Sequence, residues 1–87
     1  MKRIWIFRNV THRGSATDLT QVWQWRAEAS DGTVSVSAKS FVTLPECVAD
    51  AKRCGFAGDV DPSTGKFATT HYEMKIGEYG DIQFRPR

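Results

Sequence analysis

Residues 22–56 read VWQWRAEASDGTVSVSAKSFVTLPECVADAKRCGF, a stretch that predicts a β-hairpin followed by one capped helix. In its first half, apolar residues alternate with polar ones, which is the period-2 pattern of strands with one buried face. The apolar positions of the two strands are Trp23, Trp25, Ala27, Ala29, Val34, Val36 and Ala38. We therefore expect these side chains to share the face on which the helix packs.

The turn of this hairpin is predicted at Asp31-Gly32, because both residue types tolerate the positive φ angles of a two-residue type I′ turn. This turn places Ser30 opposite Thr33. The pairs that follow are Ala29–Val34, Ala27–Val36, Arg26–Ser37 and Trp25–Ala38. A shift by one residue would move apolar side chains onto the polar face, so we predict this register.

The second half of the stretch predicts a helix of about ten residues. Thr43 to Glu46 matches a capping box, with Thr43 as the N-cap and Pro45 in the first turn, where its missing N–H costs nothing. Gly55 fits the left-handed position after the helix, and Phe56 supplies the hydrophobic contact of that cap. The apolar stripe that would face the sheet comprises Leu44, Cys47, Val48, Ala51 and Cys54.

The first strand is predicted at Lys2–Arg8 and is apolar on both faces. Ile4 and Ile6 point one way and Trp5 and Phe7 the other, because side chains alternate along a strand. One helix cannot easily bury both faces. One side of this strand is therefore a candidate for an exposed apolar surface.

The polar segment Asn9–Thr20 predicts a long loop, and Ala57–Thr70 predicts an irregular stretch with a turn at residues 61–65. A second hairpin is predicted around the three-residue loop Glu78–Gly80, with Gly80 left-handed in a G1 bulge. Its register pairs Ile76 with Ile82, Met74 with Phe84 and Glu73 with Arg85.

Together these elements predict a single α+β domain over residues 1–87. Its antiparallel sheet has about five strands in the order β-ββ-α-ββ, with one helix packed on one face. A net charge of +2 and 25% charged residues are ordinary for a soluble protein. Ile4–Phe7 is too short for a signal peptide or a membrane span, so a cytoplasmic protein without membrane contact is expected.

No catalytic or metal-binding motif is predicted. Residues 58–66 contain Gly…Gly-Lys, but the spacing differs from that of a phosphate-binding loop and Phe67 replaces its Ser or Thr. Asp59, Asp61 and Ser63 are spaced as in an EF-hand, yet the glycine and the final glutamate of that loop are missing. The sequence therefore predicts neither a nucleotide site nor a calcium site.

Cysteine and histidine residues are also not spaced as zinc ligands; the candidates are His12, Cys47, Cys54 and His71. The two cysteines are seven positions apart on the helix, which is about 10 Å along its axis and too far for a disulfide. We predict buried, reduced thiols, no cofactor, no metal and no enzymatic activity.

An interaction surface is predicted instead, comprising Arg3, Trp5, Phe7, Arg8 and Arg26. The first interpretation is contact with another protein or with a second copy of the chain, through either face of the first strand. The second is weak binding of single-stranded nucleic acid, in which bases stack on strand aromatics and phosphates meet arginines. The third is that Trp23 and Trp25 simply form the core of a small domain.

Basic residues also gather near both ends of the chain; they are Lys2, Arg3, Arg8, Arg13, Arg85 and Arg87. If the terminal strands are neighbours, some of these residues would form one basic edge. The alternative is that they serve solubility and protect an edge strand from aggregation.

The segment from Trp23 to Gly32, with Phe41 and the helix from Cys47 to Lys52, resembles the YegP-like family of small bacterial domains. The resemblance covers residues 22–56 and implies a compact α+β unit whose biochemical function is largely unassigned. It supplies no catalytic residues. Domains of that family often occur as tandem copies, whereas the pattern occurs once here, and the first strand and last hairpin are additional.

Overall fold

A computed structural model describes residues 3–13, 19–69 and 71–87 and confirms the α+β class. The elements in chain order are β1 (Arg3–Arg13), β2 (Leu19–Ala29), β3 (Val34–Val36), α1 (Leu44–Arg53), β4 (Asp59–Val60), β5 (Phe67–Ala68), β6 (Tyr72–Ile76) and β7 (Ile82–Pro86). Five strands form an antiparallel sheet in the order β3-β2-β1-β7-β6. The helix packs on one face of this sheet, as predicted.

The first two strands are longer than predicted. They pair along their full length, from Arg3 opposite Ala29 to Arg13 opposite Leu19. The prediction of a loop from Asn9 to Thr20 is therefore wrong for residues 9–13 and 19–20, while residues 14–18 lie outside the described part. Val10 lies directly opposite Val22, and such a cross-strand pair of β-branched residues favours strand structure in a segment that looks polar in isolation.

The predicted register of the first hairpin is wrong by one residue. Glu28 faces Val34 and Arg26 faces Val36. The loop has three residues, since Ala29 N–H donates to the Thr33 carbonyl and Gly32 N–H to the Ala29 carbonyl. Gly32 alone takes a positive φ, of 92°, so the hairpin avoids the strain that a type I′ turn would place on Asp31.

This register changes which side chains face the helix. Val34 and Val36 share a face with Arg26 and Glu28, opposite to the helix, so the prediction that the helix packs over these valines is wrong. The chain returns to the helix side at Phe41, which is buried and exchanges two backbone hydrogen bonds with Trp23. Between Val36 and Phe41 the chain departs from regular pairing with β2. The Ser37 hydroxyl stabilises this segment in part, because it accepts a hydrogen bond from Trp25 N–H.

The second hairpin follows the predicted register. Ile76 faces Ile82, Met74 faces Phe84 and Glu73 faces Arg85. Gly80 has a φ of 82° at the end of the three-residue loop, which is the left-handed conformation that a G1 bulge requires. Because these signals are local, the sequence was sufficient to predict this hairpin.

Both helix caps are confirmed. The Thr43 hydroxyl accepts a hydrogen bond from Glu46 N–H at the N-terminus. At the C-terminus, Gly55 N–H donates to the Lys52 carbonyl and Phe56 N–H to the Ala51 carbonyl. These two bonds and the φ of 116° at Gly55 form a Schellman motif.

Residues 57–69 are more regular than predicted, because β4 and β5 form a small two-stranded sheet. The predicted turn between them is present: Asp61 Oδ1 accepts hydrogen bonds from the backbone and the hydroxyl of Ser63. Phe67, on β5, lies 4.7 Å from the ring centre of Phe84. The small sheet therefore covers one end of the core.

The core is predominantly aromatic. Phe56 lies at its centre, with ring centroids 5.1–5.5 Å from those of four neighbours: Trp5, Phe7, Tyr72 and Phe84. Three buried helix residues cover the core on the helix side of the sheet; they are Cys47, Val48 and Ala51. Large rings give a chain of this length enough buried apolar area to fold as one unit.

Candidate interaction surfaces

The five predicted surface residues do not lie on one surface. Trp5 and Phe7 are 2% and 0% exposed and belong to the core, so placing them on an interaction surface is wrong. The physical reason is that the helix and the Phe56 ring cover this side of β1. Arg3 lies on the same side, at the end of the strand, whereas Arg8 and Arg26 lie on the opposite side of the sheet.

The side of the sheet opposite the helix, which we call the open face, carries both apolar and charged residues. Ile4 and Ile6 lie at its centre and are partly exposed, while Val34 and Val36 are exposed at its β3 edge. An ion pair separates the two groups, with Arg26 Nε 3.0 Å from Glu28 Oε1. The open face is therefore a mixed surface and not one continuous apolar patch.

The two edges of the sheet differ in length. Strand β3 has three residues, whereas β6 has five, from Tyr72 to Ile76. A short strand is one of the ways in which natural sheets protect an edge. The β6 edge is the longer template for pairing with another strand, and it was not among the surfaces predicted from the sequence.

Apolar side chains are exposed along the β6 edge. Met74 and Ile76 point to the helix side of the sheet, yet they are 49% and 58% exposed. The core ends before it reaches them, because Phe84 and Ile82 occupy the neighbouring strand and the helix packs mainly against β2, at the other side of the sheet. The sequence signal for this exposure was weak, since a strand alternates in the same way whether or not its apolar face is covered.

The backbone of β6 also has unpaired groups. Gly77 N–H donates to the Asp81 carbonyl, and Arg87 N–H donates to the His71 carbonyl. Because hydrogen-bonded positions alternate in an antiparallel pair, the backbone groups of Glu73 and Lys75 point to β7, and those of Met74 and Ile76 point outward. Within the described ranges, no strand pairs with this outer side of β6.

The two thiols lie in different environments. Cys47 is buried, and desolvation raises the pKa of its thiol to about 12. Cys54 is exposed at the end of the helix, so the prediction that both cysteines are buried is wrong for Cys54. The Schellman motif ends the helical turn at this position and directs the next apolar residue, Phe56, into the core instead.

The metal candidates are not brought together. His71 is exposed beside β6, and Cys47 is in the core under the helix. The side chain of His12 lies outside the described part of the chain. Across residues 3–13, 19–69 and 71–87, no three His, Cys, Asp or Glu side chains are grouped so that they could hold a metal ion.

A buried indole is linked to the helix by one polar contact. Trp25 Nε1 donates to Asp50 Oδ2 at 2.8 Å, and Arg53 Nη2 lies 2.6 Å from the other carboxylate oxygen. The hydrogen bond from Trp25, followed by that from Arg53, lowers the pKa of Asp50 below its usual 3.8. The charged carboxylate therefore stabilises the packing of the helix on β2.

This contact predicts a pH-dependent effect of Asp50→Asn. At pH 7 the substitution should lower the free energy of unfolding by about 1 kcal/mol, because a neutral acceptor makes a weaker hydrogen bond. The folded-state pKa is lowered, so the contribution is complete well above pH 3.8 and is lost as the pH falls through the folded value. Urea titrations of both proteins between pH 7 and pH 2 should show their difference shrinking in acid.

The other acidic groups do not obscure this comparison. Hydrogen bonds from Thr33, Ser63 and Gln83 lower the pKa values of Asp31, Asp61 and Asp81 respectively, but these carboxylates are present in both proteins. A difference that stays constant down to pH 2 would contradict the role of the Asp50 charge.

Comparisons with known proteins identify no relative of this chain. No protein-family model matches the chain, and neither a curated protein nor a solved structure does. The resemblance of residues 22–56 to the YegP-like domains therefore stays a prediction, as does the cytoplasmic location. No helix in the described part is long and apolar enough to cross a membrane.

Proposed function

We propose that this protein is a non-enzymatic self-association module whose partner is a second copy of the chain, bound along the β6 edge. The observation that carries the proposal is that β6 combines outward-pointing backbone groups with two half-exposed apolar side chains, Met74 and Ile76. Addition of a strand at such an edge provides main-chain hydrogen bonds for affinity and side-chain contacts for specificity.

The sequence of β6 is complementary to itself in one antiparallel register. If Met74 pairs with Met74 of the second copy, Tyr72 lies opposite the second copy's Ile76, and Glu73 lies opposite its Lys75. The outward backbone groups of Met74 and Ile76 then lie at hydrogen-bonded positions, as antiparallel pairing requires. Two-fold symmetry repeats each contact.

The charges favour this partner. Glu73 and Lys75 are both exposed on the open face, and the dimer brings each of them opposite a residue of the other sign. The apolar contacts of the exposed Met74 and Ile76 side chains lie on the helix side. Opposite charges across neighbouring strands stabilise a pair, and like charges destabilise it.

The contact between the two β6 strands is small, so we expect a weak dimer with a dissociation constant on the order of 10–100 µM.

Nucleic-acid binding is less well supported than self-association. A platform for bases needs exposed aromatic rings. Of the four rings proposed for it, Trp5, Phe7 and Trp25 are buried, and Trp23 is partly buried against the core. Among the described residues, the aromatic side chain that is largely exposed is Tyr79, in the loop after β6. The basic side chains of the open face also alternate with acidic ones such as Glu28 and Asp81.

Charge exchange along β6 tests the proposal. In Lys75→Glu, both charge pairs of the dimer become repulsive, so the dissociation constant should rise at least tenfold in sedimentation equilibrium over the micromolar range. Glu73→Lys should weaken the dimer equally. The double variant Glu73→Lys/Lys75→Glu restores two opposite-charge pairs and should return the constant to within about threefold of the wild-type value.

A matched control separates the β6 edge from the open face. Arg26→Glu reverses an exposed charge on β2 and leaves β6 unchanged, so it should dimerise like the wild type. A wild-type protein that stays monomeric up to 500 µM would overturn the proposal. Loss of association in Arg26→Glu, or a double variant that does not recover, would overturn the β6 register.

A further inference from the structure

A second candidate site lies at the other end of β6, between the end of the helix and the ends of β1 and β7. It is an open cavity of about 530 Å³. Its lining residues come from four separate segments of the chain, at residues 3–5, 54–57, 71–72 and 86–87. A cavity of this size can hold a small organic ligand.

The polar side chains of this cavity are mostly cationic or protonatable. Arg3 comes from β1, His71 precedes β6, and Arg87 follows β7. They meet because β7 pairs with β1 on one side and with β6 on the other. Among the described residues that line the cavity, none has an acidic side chain. Basic side chains are therefore concentrated at this end of the sheet, although the net charge of the whole chain is only +2.

Both guanidinium groups are held in place by backbone carbonyls. Arg3 Nη1 donates to the Cys54 carbonyl at 3.3 Å, and Arg87 Nε donates to the Tyr72 carbonyl at 3.1 Å. Each guanidinium has further N–H donors after these bonds. Anchored donors lose less conformational entropy when a ligand binds than free side chains do.

The end of the helix does not cancel this charge. Helix C-termini repel anions because their last carbonyls are unpaired. Here the Cys54 carbonyl accepts from Arg3, and the carbonyls of Ala51 and Lys52 accept from the cap. Three carbonyls at this end of the helix thus have partners within the protein, and Arg3 keeps further N–H donors for a ligand.

The rest of the wall is apolar or aromatic. Trp5, Ala57, Tyr72 and Pro86 line this part of the cavity. Tyr72 is fixed by its hydroxyl group, which accepts a hydrogen bond from Ala57 N–H at 3.2 Å. A ligand that fits this wall has an anionic end and a flat apolar part.

We infer that this cavity binds a phosphate monoester, with the phosphoryl oxygens at Arg3, His71 and Arg87 and the organic group against Tyr72 and Pro86. Donors that approach from three segments suit a tetrahedral oxyanion better than a planar carboxylate, and two guanidinium groups match its double negative charge. The inference does not require self-association: the two sites share Tyr72, but Arg3, His71 and Arg87 lie outside the β6 pairing edge.

The site can be tested with phenyl phosphate, inorganic phosphate and benzoate as probes. Titration should shift the backbone amide resonances of Gly55 and Ala57 saturably, and phenyl phosphate should bind about tenfold more tightly than the other two. The exposed Cys54 thiol provides a second readout. Bound phenyl phosphate should slow its labelling, whereas Cys47, which is buried, should not react in the native state.

Substitutions identify the residues responsible. Arg3→Gln and Arg87→Gln should each weaken phenyl phosphate binding at least tenfold. His71→Gln, at an exposed position that leaves the fold intact, should weaken it about threefold or more. Arg8→Gln makes the same charge change on the open face and should alter the affinity less than twofold. The variant Lys75→Glu, which is designed to weaken the dimer, should bind phenyl phosphate with the wild-type affinity.

Three results would overturn the inference. One is the absence of a saturable shift at Gly55 and Ala57. Another is an equal loss of affinity in Arg8→Gln and Arg3→Gln, which would indicate attraction by overall charge alone. The third is binding of benzoate as tight as that of phenyl phosphate, because the site would then recognise carboxylates.

Discussion

Replacing Trp5 by alanine is expected to lower the free energy of unfolding by about 3–5 kcal/mol. The indole is 2% exposed and packs against Trp25 and Phe56, with ring centroids 5.4 and 5.5 Å away. Its removal leaves a cavity beneath the helix that rigid neighbours cannot fill. A domain of this length has a total stability of roughly 4–13 kcal/mol, so urea denaturation should show a protein near the limit of folding.

Tyr79→Ala is the matched control for this substitution. It also truncates a large aromatic side chain, but one that is 92% exposed in the loop after β6, so the free energy of unfolding should change by less than about 0.5 kcal/mol. If Trp5→Ala unfolds outright, Trp5→Phe should still give a measurable loss of about 1–2 kcal/mol. A Trp5→Ala protein as stable as Tyr79→Ala would contradict the placement of β1 in the core.

Substitution of Gly58 by alanine should lower the free energy of unfolding by about 2–3 kcal/mol. A Cβ atom at this buried position would lie 2.7 Å from Phe56 Cζ and 2.9 Å from its Cε2. The ring cannot move away, because Phe56 is packed against four other aromatic rings. The usual gain of a glycine-to-alanine change, about 0.4–1 kcal/mol through the unfolded chain, is too small to offset the clash.

A double-mutant cycle with Phe56→Leu isolates this clash. Phe56→Leu alone destabilises the core, but it removes the ring atoms that Gly58→Ala meets. The cost of Gly58→Ala should therefore fall by at least about 1 kcal/mol in the Phe56→Leu background, measured by urea denaturation. An unchanged cost would show that the alanine is excluded by its own backbone conformation and not by the ring.

The elements that were predicted correctly are those whose signals lie within a few residues of one another. The capped helix depends on Thr43 at its start and on Gly55 and Phe56 at its end. The second hairpin depends on Gly80 and on side chains that match across a three-residue loop. In each case competing alternatives conflict with backbone conformation or with the side-chain pattern.

The first hairpin shows where local signals are insufficient. Asp31-Gly32 suits a type I′ turn, but the same dipeptide also fits a three-residue loop in which Gly32 alone has a positive φ. The two loops differ by one residue in register, and apolar pairing favoured the wrong one. The β2 residues are held from the other side by β1, and Phe41 supplies the buried contact that the valines do not.

The candidate sites were even less accessible to sequence reasoning. Exposure of Met74 and Ile76 depends on how far the helix extends over the sheet, and the cationic cavity depends on β7 lying between β1 and β6. Arg3 and Arg87 are at opposite ends of the chain, so composition could suggest a basic edge but could not place His71 beside it.

The sequence alone determined the α+β class, the helix with both caps and the register of the last hairpin, because these features follow from local backbone preferences and short-range periodicity. The tertiary structure decided which face of β1 is buried, where the apolar side chains of β3 and β6 are exposed and which basic residues meet. These outcomes depend on contacts between distant segments, and a strand pattern is compatible with either face or either edge until its neighbours are in place.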